Sequence, residues 1–247
     1  MRIIYGTNPV IEALRSGEGI EKVVISSERS DKVTAEILKE ARARHIKVEI
    51  SPGQELQNLS GTPKHQGAVA VLKGGFRYKD IEDLIEGWKK SGDEALFLIL
   101  DSIQDPQNLG SLIRTAGAAG VHGIIIPKDR ASEITPVVVK ASAGASEHVP
   151  VAREVNITRA IERLKEENIW VAGIEAECGE DIYKTDLDRN LAIVVGSEGK
   201  GIRRLVMESC DFCVSIPMAG RLNSLNAAQA GAVAMFEARR QRLYKKK

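Results

Sequence analysis

Three cysteines in 247 residues are too few, and wrong in number, for a secreted disulfide framework. No stretch approaches the roughly 18 to 20 consecutive apolar residues of a membrane helix. The opening MRIIYGTNPVIEALRSGEG has no long apolar core behind its first basic residue. A secretory leader is therefore not expected, and the predicted address is the cytoplasm. Charge of one sign is also lacking: 35 Lys+Arg face 34 Asp+Glu, so bulk positive charge does not mark a nucleic-acid binder. Neither G-x-G-x-x-G nor G-x-x-x-x-G-K-S/T occurs, which removes the dinucleotide fingerprint and the phosphate loop. The histidines (His45, His65, His122 and His148) have no metal-ligand spacing, so no metal site is predicted, and no Ser-His-Asp arrangement can be built from the order of residues.

What remains is an ordinary globular balance, 43% apolar and 28% charged, in a length that suits one large domain or two small ones. In the first 75 residues, Val23-Val24-Ile25, residues 47–50 and the run GAVAVL (67–72) read as strands. Between the first two, Val33, Ile37, Leu38 and Ala41 share a helical face behind a Ser30 or Asp31 cap. KGGFRYK (73–79) reads as a hinge. Ile81, Leu84, Ile85 and Trp88 then keep helical spacing behind Asp80, and Gly92-Asp93 ends that helix. A boundary near residue 75 divides the chain into 1–75, a linker and leading helix over 76–92, and a second domain over 93–247. In the latter, ALFLIL (95–100), GIIIP (123–127), IWVAGIE (169–175), LAIVVG (191–196) and CVSIP (213–217) are nearly continuous apolar runs separated by helical segments. That pattern predicts a parallel sheet covered on both faces, with ligands at the carboxyl ends of its strands.

Three strand-to-helix turns invite chemistry. After Leu100 comes DSIQDPQNLGSLIRTA, where Pro106 sets a bend, a small-residue helix begins near Asn108 and Arg114 sits inside it. An arginine there either stays solvated on a tightly packed helix or reaches a cleft. After Ile193 comes VVGSEGKGI, whose glycines let the backbone approach a ligand, with Glu198 among them. A plain turn would read the same way. After Ile216 comes PMAGRLNSLNAAQA, where Asn226 is placed to cap the last helix and Ser224 and Asn226 could face a ligand. Cys210-Asp-Phe-Cys213 leads into a strand rather than opening a helix, so it reads as a pair of reduced structural cysteines. Arg239, Arg240, Arg242, Lys245, Lys246 and Lys247 crowd the C-terminus, either as a helix end whose cations complement the dipole or as a contact for phosphate.

Taken together and in order, LDSIQDPQNLGSLIRTAGAAG, IVVGSEGKGI and IPMAGRLNSLNAAQAGAVAMFEARRQR resemble the SpoU/TrmH family of RNA ribose methyltransferases, in the SPOUT superfamily. IIYGTNPVIEAL and KHQGAVAV resemble the ribosomal-protein-like substrate-binding domain of the branch that methylates large-subunit rRNA. The resemblance implies a small N-terminal α/β RNA-binding domain (1–75). It also implies a C-terminal catalytic SPOUT domain (93–247) with a deep trefoil knot, a homodimer, S-adenosylmethionine as cofactor, and methylation of a ribose 2′-hydroxyl. By position it assigns Asn108, Arg114, Glu198 and Asn226 to the catalytic set. Gly196, Glu198, Gly199, Gly201, Ile216, Met218, Gly220, Ser224 and Leu225 fall to the cofactor. Many family members carry valine and serine after Ser-Leu-Asn; Ala227 and Ala228 stand there in this chain, so no serine hydroxyl is available.

Because a guanidinium stays protonated, Arg114 is read as a cation that grips phosphate or polarises the ribose oxygen, not as a base. Glu198 and Asn226 are read as orienting groups. DNA, lacking the 2′-hydroxyl, is excluded as a substrate. A guanosine in the peptidyl-transferase P loop of 23S rRNA is the expected target. Competing readings are a tRNA 2′-O-methyltransferase, a non-catalytic RNA-binding ribosome-assembly factor, and an NAD-type α/β enzyme.

Overall fold

The computed structural model describes residues 1–17, 19–221 and 223–244. Of the C-terminal basic cluster, Lys245, Lys246 and Lys247 lie outside the described residues. The chain forms two compact units, one of residues 1–77 with 133–148 and the other of 78–132 with 149–247.

The first unit runs β1 (Arg2–Tyr5), α1 (Thr7–Ser16), β2 (Ile20–Ser26), α2 (Lys32–Ala43), β3 (Lys47–Ser51), α3 (Gly53–Ser60) and β4 (Ala68–Leu72). The sheet order is β1-β4-β2-β3, antiparallel except for the parallel β2/β3 pair. β4 is one of the two inner strands, and its all-apolar AVAVL is buried throughout, as fits a strand paired on both edges and covered on both faces. Leu56 and Leu59 of α3 pack on Tyr5, Val24 and Val69. α2 is capped by Asp31, whose carboxylate accepts from the Thr34 N–H at 2.8 Å. That bond, with the Arg29 guanidinium beside it, holds the Asp31 carboxyl at about 2.

A sequence division at residue 75 does not capture this unit. Residues Glu133–His148, from the middle of the predicted second domain, fold into it and carry the short α6 (Pro136–Ala141). Arg2 pairs with Glu147, and Glu12 Oε2 lies 2.7 Å from His148 Nε2. These links span more than 130 residues of sequence, which no local periodicity can register.

The second unit contains α4 (Ile81–Ser91), β5 (Leu96–Asp101), α5 (Pro106–Ala119), β6 (Gly123–Pro127), β7 (Val151–Glu154), α7 (Ile157–Glu166), β8 (Trp170–Ile174), β9 (Glu180–Asp181), β10 (Leu191–Gly196), α8 (Arg204–Glu208), β11 (Phe212–Ser215) and α9 (Ala227–Leu243). Its sheet is parallel, in the order β7-β6-β5-β10-β8-β11-β9. Successive residues of β5 point to opposite faces. Phe97 and Ile99 join Leu84, Ile85 and Trp88 of α4 and Ile157, Ile161 and Leu164 of α7 in one core. Helices α5 and α9 pack together on β10, where a Cβ at Gly231 would meet Leu112 and Val195. Helices therefore cover both faces, as the unbroken apolar runs predict.

Two local expectations are corrected. α5 begins at Pro106 rather than near Asn108, because Asp105 caps it and proline fits the first helical position, where its missing N–H leaves no bond unmade. The cysteines are not all reduced: Cys213 is disulfide-bonded to Cys178, with Cα atoms 5.7 Å apart. Cys213 registers against Gly173 of β8, and the turn following β8 brings Cys178 back over β11. The reading of Cys210 and Cys213 as a reduced pair therefore fails at Cys213, whose partner lies 35 residues away in sequence. Cys210 stays free, and burial pushes its thiol up to about 12.

Arg242, near the end of α9, donates to the carbonyls of Glu94, Ala95 and Arg189 at 2.7 to 3.0 Å. Arg242→Ala strands these acceptors and is expected to lower stability by about 2–3 kcal/mol, read as a lower urea midpoint with unchanged slope. Since thiolate is the reactive form, Cys210 should resist iodoacetamide at pH 8 in the native protein while free Cys side chains in the denatured, reduced chain alkylate; equal native reactivity would contradict its burial.

Candidate active site at the carboxyl ends of the strands

The carboxyl ends of β5, β8, β10 and β11 bring the three turns to the same end of the parallel sheet. Asp101 ends β5 and is fully buried. A buried carboxylate needs a cation and donors; the Ser102 hydroxyl donates to Asp101 Oδ1 at 3.3 Å, and the cation and the shorter bonds come from one residue. Arg203 gives its backbone N–H at 2.7 Å, its Nε at 2.7 Å and its Nη2 at 2.6 Å. Arg203 immediately follows the glycine loop, so this bond set draws the loop after β10 onto the end of β5.

The loop itself is a tight return. Ser197 and Gly201 exchange backbone hydrogen bonds at 3.1 and 2.9 Å. A Cβ on Gly196 would overlap the backbone of Gly201 and Ile202, which leaves only glycine at that position. Gly199 and Gly201 have φ of +77° and +64°, a region that costs other residues strain. Glu175, at the end of β8, accepts from the Ile202 N–H and lies where a Gly201 side chain would be.

Three of the four residues assigned to catalysis by resemblance meet. Asn226 Oδ1 accepts from the Gln229 N–H at 2.8 Å and so caps α9. Its Nδ2 must then donate, and does so to Asn108 Oδ1 at 3.3 Å. Asn108 Nδ2 in turn donates to Glu198 Oε1 at 3.0 Å. The helix backbone thus fixes the sense of both amides, and the relay ends on an exposed carboxylate in the glycine loop. Asn108 is itself held at the start of α5, where its N–H donates to Asp105 at 3.1 Å.

Arg114 is not part of this relay. It stands six residues beyond Asn108 on α5, about 120° round the helix, exposed and without a hydrogen bond or ion pair among the described residues. Between β11 and α9, Met218, Gly220 and Ser224 are exposed, while Ile216 and Leu225 are half-buried. Asp101, Glu175 and Arg203 received no role from the sequence. A signal existed, since Asp101 and Glu175 are the acids that close otherwise apolar strand runs.

With the geometry in hand, the similarities can be stated. Residues 95–236 match the SpoU rRNA Methylase family, and residues 3–75 match the domain described as RNA 2′-O ribose methyltransferase substrate binding. The Bacillus subtilis (strain 168) protein YacO, named for the TrmH family of tRNA/rRNA methyltransferases, is 42% identical over 97% of this chain and 95% of its own. A Staphylococcus aureus (strain MSSA476) protein named for the same family is 44% identical over 97% and 96%. Among solved structures, the SpoU methyltransferase AviRb from Streptomyces viridochromogenes in complex with AdoMet superposes with a TM-score of 0.80 at 25% identity, covering 98% of this chain and 90% of that one. The AdoMet-bound rRNA methyltransferase from Sinorhizobium meliloti gives 0.77 at 26% identity, over 97% and 87%.

Gly196→Ala places a methyl group inside the backbone of Gly201 and Ile202, so the 197–202 loop must open. Trypsin is expected to cut after Lys200 at least about tenfold faster than in the parent, with the rest of the second unit still folded by circular dichroism. An unchanged cleavage rate would contradict the close crossing.

Proposed function

Because the chain belongs to the SpoU rRNA methylase family, we propose that it transfers a methyl group from S-adenosylmethionine to a ribose 2′-hydroxyl in RNA, at a guanosine of 23S rRNA in the peptidyl-transferase P loop. The observation that carries this reading is the Asn226–Asn108–Glu198 relay, which ties the glycine loop to the segment before α9 through the start of α5. The match of residues 3–75 to a 2′-O ribose methyltransferase substrate-binding domain supports the ribose oxygen as acceptor. AdoMet-bound structures of similar proteins support the cofactor.

The residues present suit that cofactor. Gly199 exposes backbone without a side chain in the way, Gly196 and Gly201 let the loop cross itself tightly, and half-buried Ile216 and Leu225 offer apolar surface for an adenine ring beside exposed Met218, Gly220 and Ser224. When bound, S-adenosylmethionine supplies an electrophilic methyl group. The chain's own part is positioning. Glu198, held by Asn108, presents a fixed carboxylate. Asn226 keeps Asn108 in the donating orientation. Arg114, exposed and permanently cationic, grips the target phosphate or polarises the 2′-oxygen.

The proposal extends to residues 1–75, with 133–148 folded into the same unit, as the RNA-binding part and to the rest of 93–247 as the catalytic one, joined through 76–92. It includes a trefoil knot, supported by the insertion of β10 between β5 and β8 before the chain steps past β8 to β11. It includes a homodimer, supported by exposed Phe236 and Leu243, seven residues apart on α9. It also includes a cytoplasmic address.

The test is methyl transfer from labelled S-adenosylmethionine to unmodified 23S rRNA, with a tRNA pool alongside and mapping of the modified nucleotide. Label at one rRNA guanosine is expected. Label confined to tRNA would overturn the rRNA substrate, and cofactor binding with no transfer to either RNA would favour an assembly factor. Arg114→Lys is expected to lose about tenfold or more of kcat while the Kd for S-adenosylmethionine moves less than about twofold. Lost cofactor binding would refute the role given to Arg114.

A further inference from the structure

The first unit holds two cations side by side that the site above does not use. Gln66 follows the short 3-10 turn Pro63–His65 and has φ 53°, a left-handed conformation that a side chain adopts only under strain. Its two oxygens both accept from cations: the backbone carbonyl from the Arg29 guanidinium, the side-chain Oε1 from the Lys140 ammonium. The turn is braced from behind, because the Gly67 N–H donates to His65 Nδ1 at 3.1 Å and the Ser26 N–H donates to the Gly67 carbonyl at 3.0 Å. Two glycines leave room for the cations. A Cβ at Gly6 would run into the Lys140 side chain, and one at Gly67 into Arg29 Cδ.

The charges do not balance. Arg29 shares its Nε with Asp31 at 2.6 Å, but no carboxylate pairs with Lys140 among the described residues. Two cations thus share one carboxylate, and a further anion between them is favoured by the surplus positive charge. Arginine and lysine converging on one exposed glutamine form a receptor for a phosphate oxygen.

We propose that Arg29, Gln66 and Lys140 form a clamp for a phosphodiester of the RNA backbone, so that the RNA-binding surface of the first unit is completed by Lys140, a residue outside the 3–75 segment. This rests on the reading that the protein acts on RNA. Burial, and then the neighbouring Arg29, lower the Lys140 pKa from its ordinary value, as fits an ammonium lacking a counter-charge.

The experiment titrates a labelled 23S rRNA fragment with the full-length protein by fluorescence anisotropy between about 50 and 200 mM KCl. The proteins are the parent, Lys140→Gln, Lys140→Arg, Arg29→Gln and, as a control, Lys47→Gln, an exposed lysine paired with Glu49 on the same unit. Lys140→Gln and Arg29→Gln are each expected to weaken binding several-fold and to reduce the slope of log K against log salt by about 0.7 to 0.9, the loss of one phosphate contact. Lys140→Arg and Lys47→Gln should keep the parent slope. In turnover, Lys140→Gln should raise KM for RNA with kcat at saturating RNA unchanged. Parent-like slopes in both glutamine variants would overturn the clamp while leaving the methyltransferase reading intact. So would a Lys140→Arg variant as impaired as Lys140→Gln, which marks a packing role. A parent protein that binds no RNA would sink both together. Should Lys140→Gln fail to fold, Arg29→Gln decides alone.

Discussion

The loop end of the second unit is organised by one buried carboxylate. Asp101 sits with no solvent exposure at the end of a strand that is otherwise all apolar, and leaving such a carboxylate unpaired costs about 3–5 kcal/mol. Arg203 compensates it through both backbone and side chain, which is possible only if the chain leaving β10 turns back at once. From that requirement follow the tight crossing at Gly196, the left-handed glycines at 199 and 201, and the position of Glu198. Glu175 adds a second carboxylate from the neighbouring strand end and fixes the same return from the other side. The glycine loop after β10 is therefore held by electrostatics beneath it.

Much of this architecture was readable from residue order. The runs ALFLIL, GIIIP, IWVAGIE, LAIVVG and CVSIP overlap strands of the parallel sheet because strands buried on both faces have nothing polar to alternate with. Asn226 was readable as a cap because asparagine at a helix start has a local reason to be there. Its second role was not, since the Asn108 amide that it orients lies 118 residues away. Short strands such as β7 and β9 gave no periodicity to detect. The carboxylates that brace the loop, Asp101 and Glu175, sit at strand ends distant from it in sequence, and the Cys178–Cys213 bond likewise depends on which strands are neighbours rather than on the spacing of cysteines.

Asn226 also links the cap of α9 to the candidate site. One side-chain oxygen caps α9 and one side-chain nitrogen starts the relay to Glu198. Aspartate would retain the cap and lose the donor; serine would retain a shorter cap and fall short of Asn108. Asparagine alone does both, so the demands of folding and of the site converge on one side chain. Asp105 serves the neighbouring helix in a purely architectural way, holding the Asn108 backbone while Asn108 directs its own amide outward.

The excursion of residues Glu133–His148 into the first unit has a consequence for how such chains diversify. Two segments that align separately with known domains look like cassettes, free to be exchanged between relatives by recombination. In this protein the smaller body is finished by a loop encoded inside the larger one, secured by Arg2–Glu147 and Glu12–His148. A transplanted N-terminal segment would keep these contacts only where the recipient's loop carries partners for Arg2 and Glu12.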